Sequence, residues 1–190
     1  MNIKFCLFAL PLALSACAVP TGPVEVTRYR LSEAGAALGH GTIAVVAGPG
    51  MEASSTDLQS FEIAVETILP SLGYTAASPD SADQIAQVRV LRETTPAPTN
   101  RVGFGASAGS FGSSAGVGIA IPLGASAQTA TDLIVVIRER ASGRVVWEGR
   151  SSLSLASTSP MAKTALVAPR LAQALFAGFP GNSGETVRLR

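Results

Sequence analysis

The stretch Leu14-Ser15-Ala16-Cys17 decides what the rest of the chain must fold without. Lys4 precedes an apolar run from Phe5 to Leu14 that is too short to span a bilayer, the layout of a secretory leader. Small residues directly before a cysteine match the bacterial lipoprotein box, so residues 1–16 are expected to be removed and Cys17 acylated. A single acyl chain holds only marginally, whereas the several chains of a lipoprotein cysteine anchor stably. The sequence has two cysteines: Cys6 leaves with the leader and Cys17 is consumed by lipid, so no thiol remains for a disulfide, a metal or catalysis. The fold must rest on buried apolar surface alone. Ala18, not Asp, follows the cysteine, which in a Gram-negative host favours the outer membrane with the domain on the periplasmic face. Residues 17–23 read as lipidated cysteine and tether, and 24–190 as one domain.

Periodicity then supplies the elements. Val24 to Leu31 alternates as a half-buried strand, and Thr42 to Ala47 is a wholly apolar run between glycines, read as a central strand beside it. Thr56 and Gln59 have capping-box spacing, and Leu58, Phe61, Val65, Ile68, Leu69 and Leu72 form one helical stripe closed by Gly73. Gln84 to Thr94 reads as a longer strand. Asp132–Arg140 and Arg144–Leu155 form a hairpin about Ala141-Ser142-Gly143. Ser159 and Pro160 open a second helix that ends near Gly178 and Pro180, with Pro169 inside it. The fold expected is α/β of the α+β kind: a mostly antiparallel sheet of about five strands with both helices on one face. Their stripes should bury against Val45, Val88, Val90, Val135, Ile137 and Val145.

Between these parts, residues 96–130 turn to Gly, Ser and Ala. Such a composition reads by default as a flexible loop, yet two period-2 arms, Val102–Gly109 and Gly116–Leu123, flank Ser110–Ala115, the pattern of a glycine-rich hairpin, and both readings stay open.

The chemistry-bearing residues are few. Fourteen basic and 13 acidic residues nearly balance, so no net basic field draws nucleic acid or acidic lipid. Gly105-Ala106-Ser107-Ala108-Gly109 and Gly112-Ser113-Ser114-Ala115-Gly116 have the spacing of a hydrolase nucleophile elbow, but no helix pattern follows and the single histidine, His40, lies upstream. Asp80 and Asp83 form a turn pair without the ligand density of a calcium loop, and no phosphate-binding glycine motif opens a helix. No cofactor or metal is expected. What remains is a set of strand arginines, Arg28, Arg30, Arg89, Arg138, Arg140 and Arg150, with acidic residues among them. They read either as cross-strand ion pairs on a wet sheet face or as an anion- or partner-binding face.

The lipobox, Leu72-Gly73-Tyr74, Ala82-Asp83 before a strand, the Gly-rich insert, Gly143 with Trp147-Glu148-Gly149, and the closing Phe179-Pro180 together resemble the bacterial lipoprotein family of domain of unknown function 4136. Members usually continue with further prolines, whereas Gly181 follows here. The resemblance implies an α/β lipoprotein domain with a sheet and two helices and no established activity.

Two function classes follow. The first is a non-catalytic binding or adaptor module of the cell envelope, engaging an envelope protein or peptidoglycan. The second is a self-assembling envelope or pore component using the hairpin 102–123, with the oligomeric state left open. A serine hydrolase ranks third.

Overall fold

The computed structural model describes residues 22–31, 38–97 and 126–190. Seven strands and two helices follow in the order β1 (Val24–Arg30), β2 (Thr42–Ala47), α1 (Thr56–Ile68), β3 (Thr75–Ala76), β4 (Gln84–Thr95), β5 (Gln128–Glu139), β6 (Val145–Ala156), α2 (Thr164–Phe176) and β7 (Thr186–Leu189). They build one sheet in the order β3-β2-β4-β5-β6-β1-β7. The lipobox, the arms of the proposed hairpin 102–123 and the serines Ser107 and Ser114 lie outside the described residues.

Local chemistry accounts for the helices. Ser55 caps α1 by accepting from the Leu58 N–H, and Asp57 places a negative charge in the first turn. Pro70 cannot continue the α-helical ladder, so the chain tightens into a 3-10 turn over Leu69–Leu72 and ends at Gly73, φ 99°. Only glycine fits there, because a Cβ would stand 2.1 Å from the Gly39 carbonyl oxygen. Ser159 caps a 3-10 turn at Pro160–Ala162, and α2 follows with Pro169 on its exposed side.

Both helices lie on one face of the sheet. Leu58, Phe61 and Val65 of α1 and Val167, Leu171 and Leu175 of α2 meet Val88, Val135, Ile137, Trp147 and Leu153 in one core. Ile68, Val45 and Val90 pack at its margin.

The expected sheet of about five mostly antiparallel strands is corrected on three points. The sheet has seven strands and is mixed, because β2 runs parallel to both β3 and β4. A strand that returns through a helix comes back in the same direction, and α1 is that crossover. The first two strands are not neighbours: β1 inserts between β6 and β7, where the C-terminal segment forms an edge strand. Val145 is 36% exposed instead of buried. A register irregularity between Ile137 and Arg138 lets Val146 and Trp147 both bury in succession, which turns Val145 out.

The two ends of the sheet differ. At one end, Trp147 is stacked on Phe176 at 5.4 Å, Phe179 lies 5.2 Å from Trp147 and 6.3 Å from Tyr74, and the Trp147 Nε1–H donates to the Pro180 carbonyl. At the other end Thr95 faces Gln128 and Gln128 faces Ala156, so residues 96–127 leave and rejoin the sheet there. Gly22, just before β1, lies against Ser154, Leu153 and Leu155 near that same end. Its carbonyl accepts from Arg170 of α2.

Candidate functional site

The sequence treats the six strand arginines as one set, and the fold distributes them over four settings. Alternation along β1 places Arg28 with Val24 and Val26 on the helix-covered face. There its Nε–H donates to the Leu175 carbonyl and its Nη2 to those of Ala174 and Ala177, at 2.7–3.0 Å. These carbonyls lie in the last turn and C-cap of α2, where Ala174 also accepts from the Ala177 N–H, and the guanidinium caps the helix end. Burial lowers the pKa of Arg28, with the charge of Glu185 opposing that shift. It is a structural residue, and its place in an anion-binding face is withdrawn. Arg30 falls on the same side at the sheet's end, opposite Trp147, with its backbone N–H bonded to the Ser183 hydroxyl.

Arg140 lies beyond β5, where its Nε–H donates to the Ala82 carbonyl at 2.6 Å and its backbone N–H to that of Asp83. Asp83 and Thr42 are reciprocally bonded. The carboxylate accepts from the Thr42 N–H and hydroxyl, and the Thr42 oxygen accepts from the Asp83 N–H. This exchange pins the register of the parallel pair β2 and β4. The Thr42 donors hold the Asp83 carboxyl below its ordinary pKa. A depressed carboxylate stabilises the fold above its unfolded pKa of about 3.9, and that contribution disappears as pH falls through the folded value. Asp83→Asn is therefore expected to melt below wild type at pH 7, with the two curves converging as pH falls below the ordinary carboxylate range. Thermal melts across that range test it, and a constant gap would refute it.

The helix-free face of the sheet holds the other three. Arg89 of β4 faces Ile134 of β5, which faces Arg150 of β6. Arg138 faces Ile85, four residues along, or roughly 13 Å at strand spacing. Arg150 is paired with Asp132 at 2.6 Å. Arg89 and Arg138 make no hydrogen bond or ion pair among the described residues, and the Nε of each is buried and unsatisfied. The Arg89 side chain lies across Gly48, where any Cβ would collide with its Cγ. Half-buried Ile85, Ile134 and Val136 lie between the two arginines, with Leu91 45% and Tyr29 55% exposed at the margins. The face thus combines apolar surface with two unpaired cations, with Glu148 exposed opposite Val136 and Asp132 engaged by Arg150.

Elsewhere the chemistry is sparse. His40 is exposed in a turn, and its carbonyl accepts from Gln84. Among the described residues no group of three His, Cys, Asp or Glu is placed to hold a metal ion, and no helix is long and apolar enough to cross a membrane.

A model of domain of unknown function 4136 matches residues 42–181. An uncharacterized protein of Zymomonas mobilis is 31% identical over 77 residues, which is 38% of this chain and 29% of that protein. The chain thus spans under a third of that curated relative's length. Among solved structures, a PelC dodecamer from Paraburkholderia phytofirmans is 14% identical, with 84% of this chain and 99% of that chain covered and a TM-score of 0.46. A PDZ domain protein from Parabacteroides distasonis is 14% identical, with 88% and 39% covered and a TM-score of 0.49.

Among the described residues, several that carry the family resemblance make the fold: Gly73 ends α1's extension, Asp83 pins the parallel strands, and Trp147 and Phe179 close one end of the core. With the family model covering most of the sequence, the chain belongs to the DUF4136 family, a domain of unknown function.

Proposed function

We propose that the protein is a lipid-anchored component of the outer membrane, tethered through Cys17 with its domain in the periplasm. There it acts without catalysis, as an adaptor whose helix-free sheet face docks an envelope protein presenting carboxylates. The observation that carries the docking is the pair Arg89 and Arg138, each with a buried Nε that has no partner among the described residues. A buried N–H left unpaired costs about 1–3 kcal/mol, so neither guanidinium is satisfied within the fold, and a carboxylate docked on its remaining N–H groups adds a charge-assisted bond. The apolar strip of Ile134 and Val136 between them adds area for a protein partner.

The test places a photocrosslinking residue at Gln87, on the face between the two arginines, in the protein expressed in its own envelope. One defined protein adduct is expected, retained in Arg89→Lys/Arg138→Lys and lost in Arg89→Glu/Arg138→Glu. An adduct indifferent to charge reversal, or none, would overturn the docking. Palmitate labelling of the chain, abolished by Cys17→Ser, tests the anchor separately. Deleting residues 102–123 should leave both the adduct and the number of chains per particle unchanged. A defined oligomer that dissociates on that deletion would instead make self-assembly the activity.

A further inference from the structure

Sheet register and the turn before α2 bring together two cations that are far apart in sequence. Arg92 of β4 and Lys163, which immediately precedes α2, line a cleft of about 470 Å³ with the hydroxyls of Thr94, Thr129, Ser157 and Thr158. Among the described residues no carboxylate lines it. Asp57 lies behind, 3.6 Å from Arg92 Nη1, and accepts from the Thr164 hydroxyl. Arg92 is held in place by donating from Nε to Thr131 and from Nη1 to Thr164. Those bonds engage two of the five N–H groups that a guanidinium carries. Thr94, Thr129 and Ser157 form a hydroxyl chain, with oxygens 3.2 and 2.8 Å apart. The cleft therefore offers a fixed fork, an exposed point charge and, since the two bonds of the chain use two of its three O–H groups, one remaining hydroxyl donor of that chain beside Thr158, a set that matches the several acceptor oxygens of a phosphate.

Its position bears on the source of that phosphate. The cleft lies at the end of the sheet where residues 96–127 leave and rejoin, and where Gly22 leads into β1. Residues 18–22 reach at most about 18 Å from Cys17 when fully extended. The geometry points to a site for the phosphate of a membrane phospholipid headgroup, held at the membrane-facing end of the domain. The choice of a lipid source rests on the anchor reading above; the anion chemistry of the cleft does not. The near-zero net charge is no obstacle, because the two cations act locally on a ligand already at the surface.

The test uses the acylated full chain in dodecylmaltoside micelles, which contain no phosphate. Amide resonances of Thr158, Ser159 and Lys163 are followed as phosphatidylglycerol, diacylglycerol or inorganic phosphate is added. Saturable shifts with phosphatidylglycerol and none with diacylglycerol are expected. Lys163→Gln, at an exposed position that cannot unfold the domain, should raise the half-saturating lipid fraction about tenfold, the equivalent of one charge-assisted contact. Arg92→Gln/Lys163→Gln should abolish the shifts while resonances of the Trp147 end stay in place. Shifts that persist in the double variant, that diacylglycerol reproduces, or that never occur would overturn the site. Saturation by inorganic phosphate at lower concentration than by lipid would overturn the lipid source and leave free phosphate as the ligand. An unlabelled Cys17 with an intact phosphate response would remove the anchor and not the cleft.

Discussion

Trp147→Ala should lower the unfolding free energy by about 3–5 kcal/mol, the range for emptying a large aromatic site in a core. The side chain is fully buried, and its loss removes three things together: the stack on Phe176, the contact with Phe179, and the Nε1–H bond that ties the Pro180 segment to β6. Urea denaturation followed by circular dichroism gives the number, and a loss under about 1 kcal/mol would mean that the cluster is not a stabilising unit. A coupling experiment sharpens the result. A Cβ on Gly149 would stand 2.3 Å from Trp147 Cη2 and 2.8 Å from Leu175 Cδ1, so the strand can carry no side chain at that position while the indole is present. Gly149→Ala should therefore be severely destabilising in wild type and much milder with Trp147→Phe. Additive effects would show that the indole is not what excludes the methyl group.

Arg28→Ala is expected to cost a comparable amount, about 3–5 kcal/mol, for a different reason. Three carbonyls at the end of α2 lose a charged donor, and the two bonds to Ala174 and Leu175 lie in buried surroundings that water replaces poorly. Arg28→Lys should recover less than half of the loss, since an ammonium cannot reach three carbonyls with the planar fork of a guanidinium. Gly181, φ 76°, packs directly over the Arg28 stem, so the turn after α2 should loosen in both variants. Equilibrium unfolding measures the cost, and hydrogen exchange at the Ala177–Gly181 amides reports the turn. Equal stability of Arg28→Ala and wild type would return the residue to the surface-binding set.

The contrast between Arg28 and Arg89 shows how far the sequence can be read. Alternation correctly puts Arg28 on the face of Val24 and Val26, yet nothing local says that this face is the buried one. The acceptors that make an arginine tolerable there are 146–149 residues away, at a helix end. The helices themselves are legible, because a stripe such as Leu58, Phe61 and Val65 needs no distant information. The hairpin between β5 and β6 is legible too, with Gly143 at φ 71°. Strand order is not. The place of β1 between β6 and β7 depends on which edge receives the chain after α2. Val146, the extra residue of β6 opposite Ile137 and Arg138, breaks the period that would place Val145 inward. Lys163 and Arg92 share no sequence motif, so only the β4–β5 register and the turn at Ser159 make them neighbours.

The position of β1 also has a mechanical side. This strand follows directly from Gly22 and is bonded on both flanks, to β6 over six register pairs and to β7 over four. A pull on the N-terminal segment, directed along the strand, loads both ladders in shear. Their hydrogen bonds must then fail together, whereas a peeled edge strand gives way one bond at a time. Arg170, holding the Gly22 carbonyl, takes the first part of that load before the sheet does. If force reaches this domain through its tether, it arrives at one of the strands best placed to bear it.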